Sequence, residues 1–91
     1  MILLHTASAG TLESSDCLVT VSPAEGLELE YKGANSVIFY ERTKRLAEKV
    51  LNEYGLEGAD MSIQDRGALE ITIRARIETA LLRAGKEVAG R

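Results

Sequence analysis

The chain has 91 residues, enough to bury one modest core without disulfides or metals to hold it. Its 11 Lys and Arg against 14 Asp and Glu leave a formal net charge of -3, which argues against a nucleic-acid phosphate backbone as partner. A single cysteine, Cys17, excludes an internal disulfide and a cysteine-rich zinc site.

In chain order, Met1-Ile2-Leu3-Leu4 is apolar but is cut off by His5 and Thr6 and carries no basic leader. It is too short for a signal h-region or a membrane span, so a soluble, cytoplasmic chain with no membrane partner is expected. Residues 7–12 are small and β-compatible and predict a first strand, with "ESSD" (13–16) as the turn that leaves it; Ser and Asp suit turns because their side chains bond nearby backbone. Cys17, Val19 and Val21 alternate with Leu18 and Thr20, a second strand. After the turn signature Ser22-Pro23-Ala24-Glu25-Gly26, Leu27, Leu29 and Tyr31 alternate with Glu28, Glu30 and Lys32. These two runs are expected to pair as a hairpin with one wet face.

From Asn35 the period changes. Val37, Tyr40, Leu46, Ala47, Val50, Leu51 and Tyr54 recur at three- and four-residue spacing, Asn35 or Ser36 can cap the start, and Gly55 stands where a C′ glycine would. The opposite side carries Glu41, Arg42, Lys44, Arg45, Glu48, Lys49 and Glu53. Arg42, Arg45 and Lys49 share a stripe that could meet an acidic partner or a diphosphate, but the interleaved glutamates read as an ordinary solvated face.

Residues 58–64 predict a fourth strand, closed by Asp65-Arg66-Gly67, which reads as a turn only. The run "ALEITIRARIETALLRAG" is ambiguous: Leu69, Ile71, Ile73, Ala75 and Ile77 alternate, while Leu69, Ile73, Ile77, Ala80, Leu81 and Ala84 form a helical stripe. Its length, and the Glu70, Arg74, Glu78 spacing, favour a helix over 68–84, with a strand over 68–73 as the alternative. The expected fold is α+β, a small single domain over 1–91 in the order β-β-β-α-β-α. A mainly antiparallel sheet would carry both helices on one face, with 1–6 and 85–91 as loose ends.

Candidate chemistry is sparse. Cys17 reads as a buried thiol in a strand and His5 as a solvated histidine. A triad of Ser14, His5 and an aspartate can be drawn, but nothing in the spacing supports it. The "GADMS" stretch, 58–62, is only faintly like the Asp-Ser-Leu motif of ordinary acyl carrier proteins: Ser62 is not next to Asp60 and falls in a predicted strand.

Two motifs are informative together. "AGTLESSD" leading into "CLVTV", and later "QDRGALEITIRARIETAL", resemble the γ-subunit family of citrate lyase, its acyl carrier proteins, over roughly residues 7–84. Members look like "AGTLES[GS]D" near one end and "DDKGALD/E…RAR[LV]E" near the other. The acyl carrier subunit of malonate decarboxylase is a more distant likeness.

The resemblance implies a non-catalytic carrier whose serine, by motif position Ser14, bears 2'-(5''-phosphoribosyl)-3'-dephospho-CoA through a phosphodiester. The thiol of that arm holds acetyl and citryl as thioesters. Implied partners are the α (acyl transferase) and β (citryl lyase) subunits and the holo-carrier synthase. Ser15 stands where some members have glycine and is the lesser alternative acceptor. Glu13 and Asp16 read as recognition charges and turn formers; Arg76, with Thr72 and Ala80 four residues away, reads as a possible docking group, and Arg74 as a partner of Glu70 and Glu78. The competing reading from another class is a stand-alone interaction module that carries no covalent group.

Overall fold

The computed structural model describes residues 1–87. Strands β1 (Ile2–Leu3), β2 (Ala7–Gly10), β3 (Cys17–Ser22) and β4 (Leu27–Gly33) precede helix α1 (Ser36–Glu53), and β5 (Ala59–Asp65), α2 (Glu70–Ala84) and β6 (Gly85–Lys86) follow it. The four-stranded sheet has the order β2-β3-β5-β4. Two of its ladders are antiparallel, β2 with β3 and β3 with β5, and β4 runs parallel to β5.

The predicted hairpin between 17–21 and 27–32 is therefore wrong in its pairing, because β5 lies between those strands. The reason is burial. On β5 the inward residues Ala59, Met61 and Ile63 are fully buried, whereas β4 offers half-buried Leu27 and Leu29 between exposed Glu28 and Glu30. The most apolar strand takes the centre, and the charged one takes an edge where unpaired backbone can face water. The Pro-Gly loop, 23–26, bridges over the start of β5 instead of closing a tight turn. Ala59 N–H donates to Gly26 O (3.1 Å), and a Cβ on Gly58 would stand 2.4 Å from Gly26 backbone, so this crossing needs a bare backbone there. Helix α1 then makes the crossover that a parallel β4–β5 pair requires.

Both helices cover the same face. Helix α2 lies on β2 and β3, while α1 lies on β4 and against α2. Ile73, Ile77, Ala80, Leu81 and Ala84 of α2 are fully buried, the expected stripe without Leu69, so helix and not strand is correct from residue 70 onward. They meet Cys17, Val19, Val21, Met61 and Ile63 of the sheet. On α1 only Thr43, Leu46, Ala47, Val50 and Leu51 are buried; Val37, placed by periodicity on the inner face, is 93% exposed. The other sheet face is polar, with Ser8 Oγ and Thr20 Oγ1 in hydrogen bond at 2.8 Å.

The ends were expected to be loose. Instead Ile2 pairs with Lys86 and Leu3 with Gly85, and Met1 is buried, so residues 2–3 and 85–86 form a two-stranded ribbon; the expectation for 88–91 lies outside the described residues.

Candidate functional site

The first strand stops at Gly10, two residues sooner than predicted, because the chain turns there with φ +101°. A Cβ at this point would lie 1.9 Å from Cys17 O, so residue 10 must be glycine for the chain to fold back over the start of β3. Thr11 N–H then donates to Cys17 O (3.2 Å), and residues 11–16 stand out as a broad turn.

At its tip Asp16 N–H donates to Glu13 O (3.2 Å), closing a four-residue turn with Ser14 and Ser15 at its centre. Ser15 has φ +67°, and it alone among the described non-glycine residues has positive φ. That is the sign pattern of a type II turn, whose third position favours glycine because an L side chain crowds its own backbone there. The glycine that the resemblance allows at this position would therefore suit the backbone. Ser14 is exposed and precedes the strained residue, and no hydrogen bond engages its hydroxyl among the described residues.

Asp16 is the hub beneath the tip. Its carboxylate accepts from Arg76 Nε (3.0 Å) and Nη2 (2.9 Å), from Thr11 Oγ1 (2.8 Å) and from Cys17 N–H (2.7 Å). The bidentate guanidinium, with the Thr11 and Cys17 donors, lowers the Asp16 carboxyl to about 2. A carboxylate held this way accepts hydrogen bonds and is no proton acceptor for a neighbouring hydroxyl. Asp16 and Arg76, read from sequence as separate docking charges, are each other's partners across 60 residues. Glu13 remains exposed on the turn.

The second motif lies against the first. Ser15 N–H donates to Arg66 O (2.8 Å), and Arg66 N–H donates to Asp16 O (2.9 Å), which prolongs the β3–β5 ladder past Cys17 and Asp65. The Asp65 carboxylate accepts from Gly67 N–H (3.0 Å), Ala68 N–H (2.8 Å) and the Tyr31 hydroxyl (2.6 Å). Burial, reinforced by that bond, pushes the Tyr31 phenol up. Asp65 thus fixes the entry into α2, while β4 and β5 end side by side at Gly33 and Asp65. One end of the molecule accordingly holds the Ser14 turn, the ends of two parallel strands and the starts of both helices. Exposed apolar side chains ring it: Leu12 on the turn, Val37 and Ile38 on α1, Leu69 just before α2 and Ile71 in its first turn.

The remaining candidates fall elsewhere. The Cys17 thiol is fully buried and pushed up to about 11, first by burial and then by the Asp65 and Asp16 charges, so it is unreactive in place. His5 meets Arg83 O through Nε2 (3.0 Å) at the far end of β2, which leaves the paper triad with Ser14 without geometry. Ser62 sits within β5 opposite Thr20. Arg74 pairs with Glu78 (3.2 Å) as read, but its second partner is Glu53 of α1 and not Glu70. Sequence reasoning missed Arg42: it belongs to the stripe read as solvated, yet its Nε is buried and its guanidinium lies 4.2 Å from the Phe39 ring centroid.

This geometry can be set beside known proteins. The family model described as malonate decarboxylase delta subunit (MdcD) matches residues 4–84. The chain is 42% identical over 87 residues to the citrate lyase acyl carrier protein of Treponema denticola, covering 96% of this chain and 100% of that one. It is 44% identical to that of Serratia proteamaculans (92% and 84% covered) and 40% to that of Halothermothrix orenii (94% and 93%). Its fold is similar to that of a chain in the crystal structure of a Pseudomonas malonate decarboxylase hetero-tetramer in complex with malonate, with TM-score 0.65 and 22% identity over 89% of this chain and 84% of that one. With both motifs joined at one exposed turn and full-length relatives well above 30% identity, the chain belongs to the citrate lyase acyl carrier protein family.

Proposed function

We propose that this chain is the non-catalytic acyl carrier subunit of a cytoplasmic citrate lyase and that Ser14 is its attachment residue. The observation that carries this reading is the position of Ser14: an exposed, uncommitted hydroxyl at the tip of a turn braced from beneath by Asp16, Arg76 and the 65–68 segment. A hydroxyl that must enter a transferase and attack phosphorus needs that access. The turn fits 2'-(5''-phosphoribosyl)-3'-dephospho-CoA because Ser14 projects from it while both acids near the tip leave the hydroxyl free.

When bound, that group supplies a terminal thiol on which acetyl and citryl are carried as thioesters during cleavage of citrate to acetate and oxaloacetate. The protein's part is positional. Asp16 and Arg76 keep the turn in one shape, so the linkage leaves the surface in a constant direction. Asp16 cannot take the Ser14 proton, so the base comes from the holo-carrier synthase. The exposed apolar ring gives that enzyme, and the α and β subunits, a surface on which to close around the same end. Tethering keeps the acyl group at high effective concentration near two active sites in turn.

A second reading, carrier for a malonate decarboxylase, is favoured by the family model's description and the fold likeness; it keeps the Ser14 chemistry and changes the acyl group. Intact mass and peptide mapping across residues 9–21, after co-expression with the transferase and holo-synthase of each complex, test both. An adduct lost in Ser14→Ala is expected, and the enzyme pair that installs it tells the two complexes apart. An adduct mapped to Ser15 would move the site, and none at either serine with active enzymes would end the carrier reading in favour of an interaction module.

A further inference from the structure

Beside the Ser14 turn the surface opens into a cleft of about 490 Å³, within the range of roughly 300–1,000 Å³ usual for small-molecule sites. Gly33 at the end of β4 and Ala34 just past it, Phe39 and Arg42 on α1, and Arg66 and Gly67 beyond β5 line it. It lies where two parallel strands end together, the position at which α/β units gather ligands. Its rim is continuous with the carrier turn through the Ser15 N–H to Arg66 O bond.

The polar groups of the cleft are unequally satisfied. The Asp65 carboxylate, the acid of the lining, is taken up by Tyr31, Gly67 and Ala68. The two guanidinium groups are not: neither Arg42 nor Arg66 enters an ion pair among the described residues. Arg42 Nε is buried and lacks a hydrogen-bond partner among them, an arrangement that folded proteins leave open chiefly where something else completes it. Stacking on Phe39 uses the face of the Arg42 guanidinium and consumes none of its N–H donors, the groups that read phosphate.

We propose that this cleft binds the phosphate-bearing nucleotide portion of the arm on Ser14, holding it against the carrier between visits to partner active sites. The inference rests on the assignment of the arm to Ser14. Arg42 is the principal anchor and Arg66 the outer one. Docking then has two parts, because the first turn of α1, with exposed Val37 and Ile38, adjoins both the cleft and the apolar ring. A partner that covers this end is placed to release the arm as it binds.

The test is a titration of dephospho-coenzyme A into the unmodified full chain, followed in 1H–15N correlation spectra that include arginine Nε–H signals. Saturable shifts are expected at the Gly33, Ala34 and Gly67 amides and at Arg42 Nε–H. Affinity should fall at least tenfold in Arg42→Gln and several-fold in Arg66→Gln; the second residue is exposed, so its variant keeps the fold. Adenosine, which lacks phosphate, should give no saturable shift. A short tether supplies about millimolar effective concentration. No saturable shift at these residues up to about 10 mM therefore overturns the proposal. So does adenosine binding as tightly as dephospho-coenzyme A, or affinity unchanged in both arginine variants. Since this titration needs no arm on Ser14, its failure is distinct from failure of the mass experiment.

Discussion

The turn that carries Ser14 and the sheet face a few residues below it are held by different physics. Val19, Val21, Met61 and Ile63 meet Ile73, Ile77 and Leu81 in a core from which water is excluded, and their order comes from apolar area removed from water. The turn has almost no such area: from Thr11 to Ser15 every side chain is exposed. Its order comes from one carboxylate with four donors, a glycine that permits a close crossing, and two backbone bonds to the neighbouring 65–67 segment. The proposed carrier role asks that Ser14 be both exposed and fixed in direction, and polar bracing gives the second without removing the first.

The largest effect should come from the core. Leu81→Ala deletes a fully buried side chain and is expected to cost about 2–5 kcal/mol, lowering Tm by roughly ten degrees or more. Where the variant remains folded it should still accept the arm at Ser14. Urea and thermal melts, paired with intact mass, check both halves, and loss of modification in a folded Leu81→Ala protein would break the division between core and turn.

Gly10→Ala comes next and acts on the turn. The added Cβ meets Cys17 O at a backbone position with φ +101°, a strain on the order of 1–3 kcal/mol. Amide shift changes should concentrate in residues 10–17 and 66–67 and leave α1 unaffected. Changes spread evenly through the sheet would mean that the turn and the core are one cooperative structure.

These two variants also mark what the sequence makes legible. The α2 stripe of Ile73, Ile77, Ala80, Leu81 and Ala84 and the alternation of Cys17, Val19 and Val21 are local periodic signals, and the structure follows them. The β4–β5 pairing is not local: it depends on which strand has more apolar surface to hide, and the Pro-Gly loop imitates a hairpin signal. At the proposed site, the motif spacing singles out Ser14 as the candidate, but the Asp16–Arg76 bond joins residues 60 apart and has no signature in either segment alone. The difference in backbone between Ser14 and Ser15 is likewise invisible as composition; it shows only in the Ser15 φ of +67°. Arg42 escapes for the opposite reason, since its charged neighbours make it look like ordinary surface.

Asp16→Asn should have a smaller effect that depends on pH. The folded carboxyl lies at about 2, below its ordinary value of 3.8, so between those values the unfolded chain binds more protons. The stability this contributes is fully present above about 4 and is lost as pH falls towards 2. At pH 6 the variant is therefore expected to unfold at lower urea than the parent chain, and the difference should shrink steadily on acidification. Urea midpoints taken from pH 6 down to pH 2.5 check this; a constant difference would mean that Asp16 acts through its shape and not its charge.

The smallest effect separates the two serines. At Ser15 a left-handed backbone costs an L residue about 1–2 kcal/mol, while glycine gives back roughly 0.5–1 kcal/mol in chain entropy. Ser15→Gly should thus gain a few tenths to about 1 kcal/mol, read as a slightly higher Tm, and the arm should still attach. If position 15 serves the backbone, the hydroxyl there is dispensable and its removal steadies the turn that presents Ser14. If Ser15→Gly instead loses the adduct while Ser14→Ala keeps it, the bracing described for Asp16 and Arg76 directs the neighbouring serine, and the exposed tip of the turn is one residue further along.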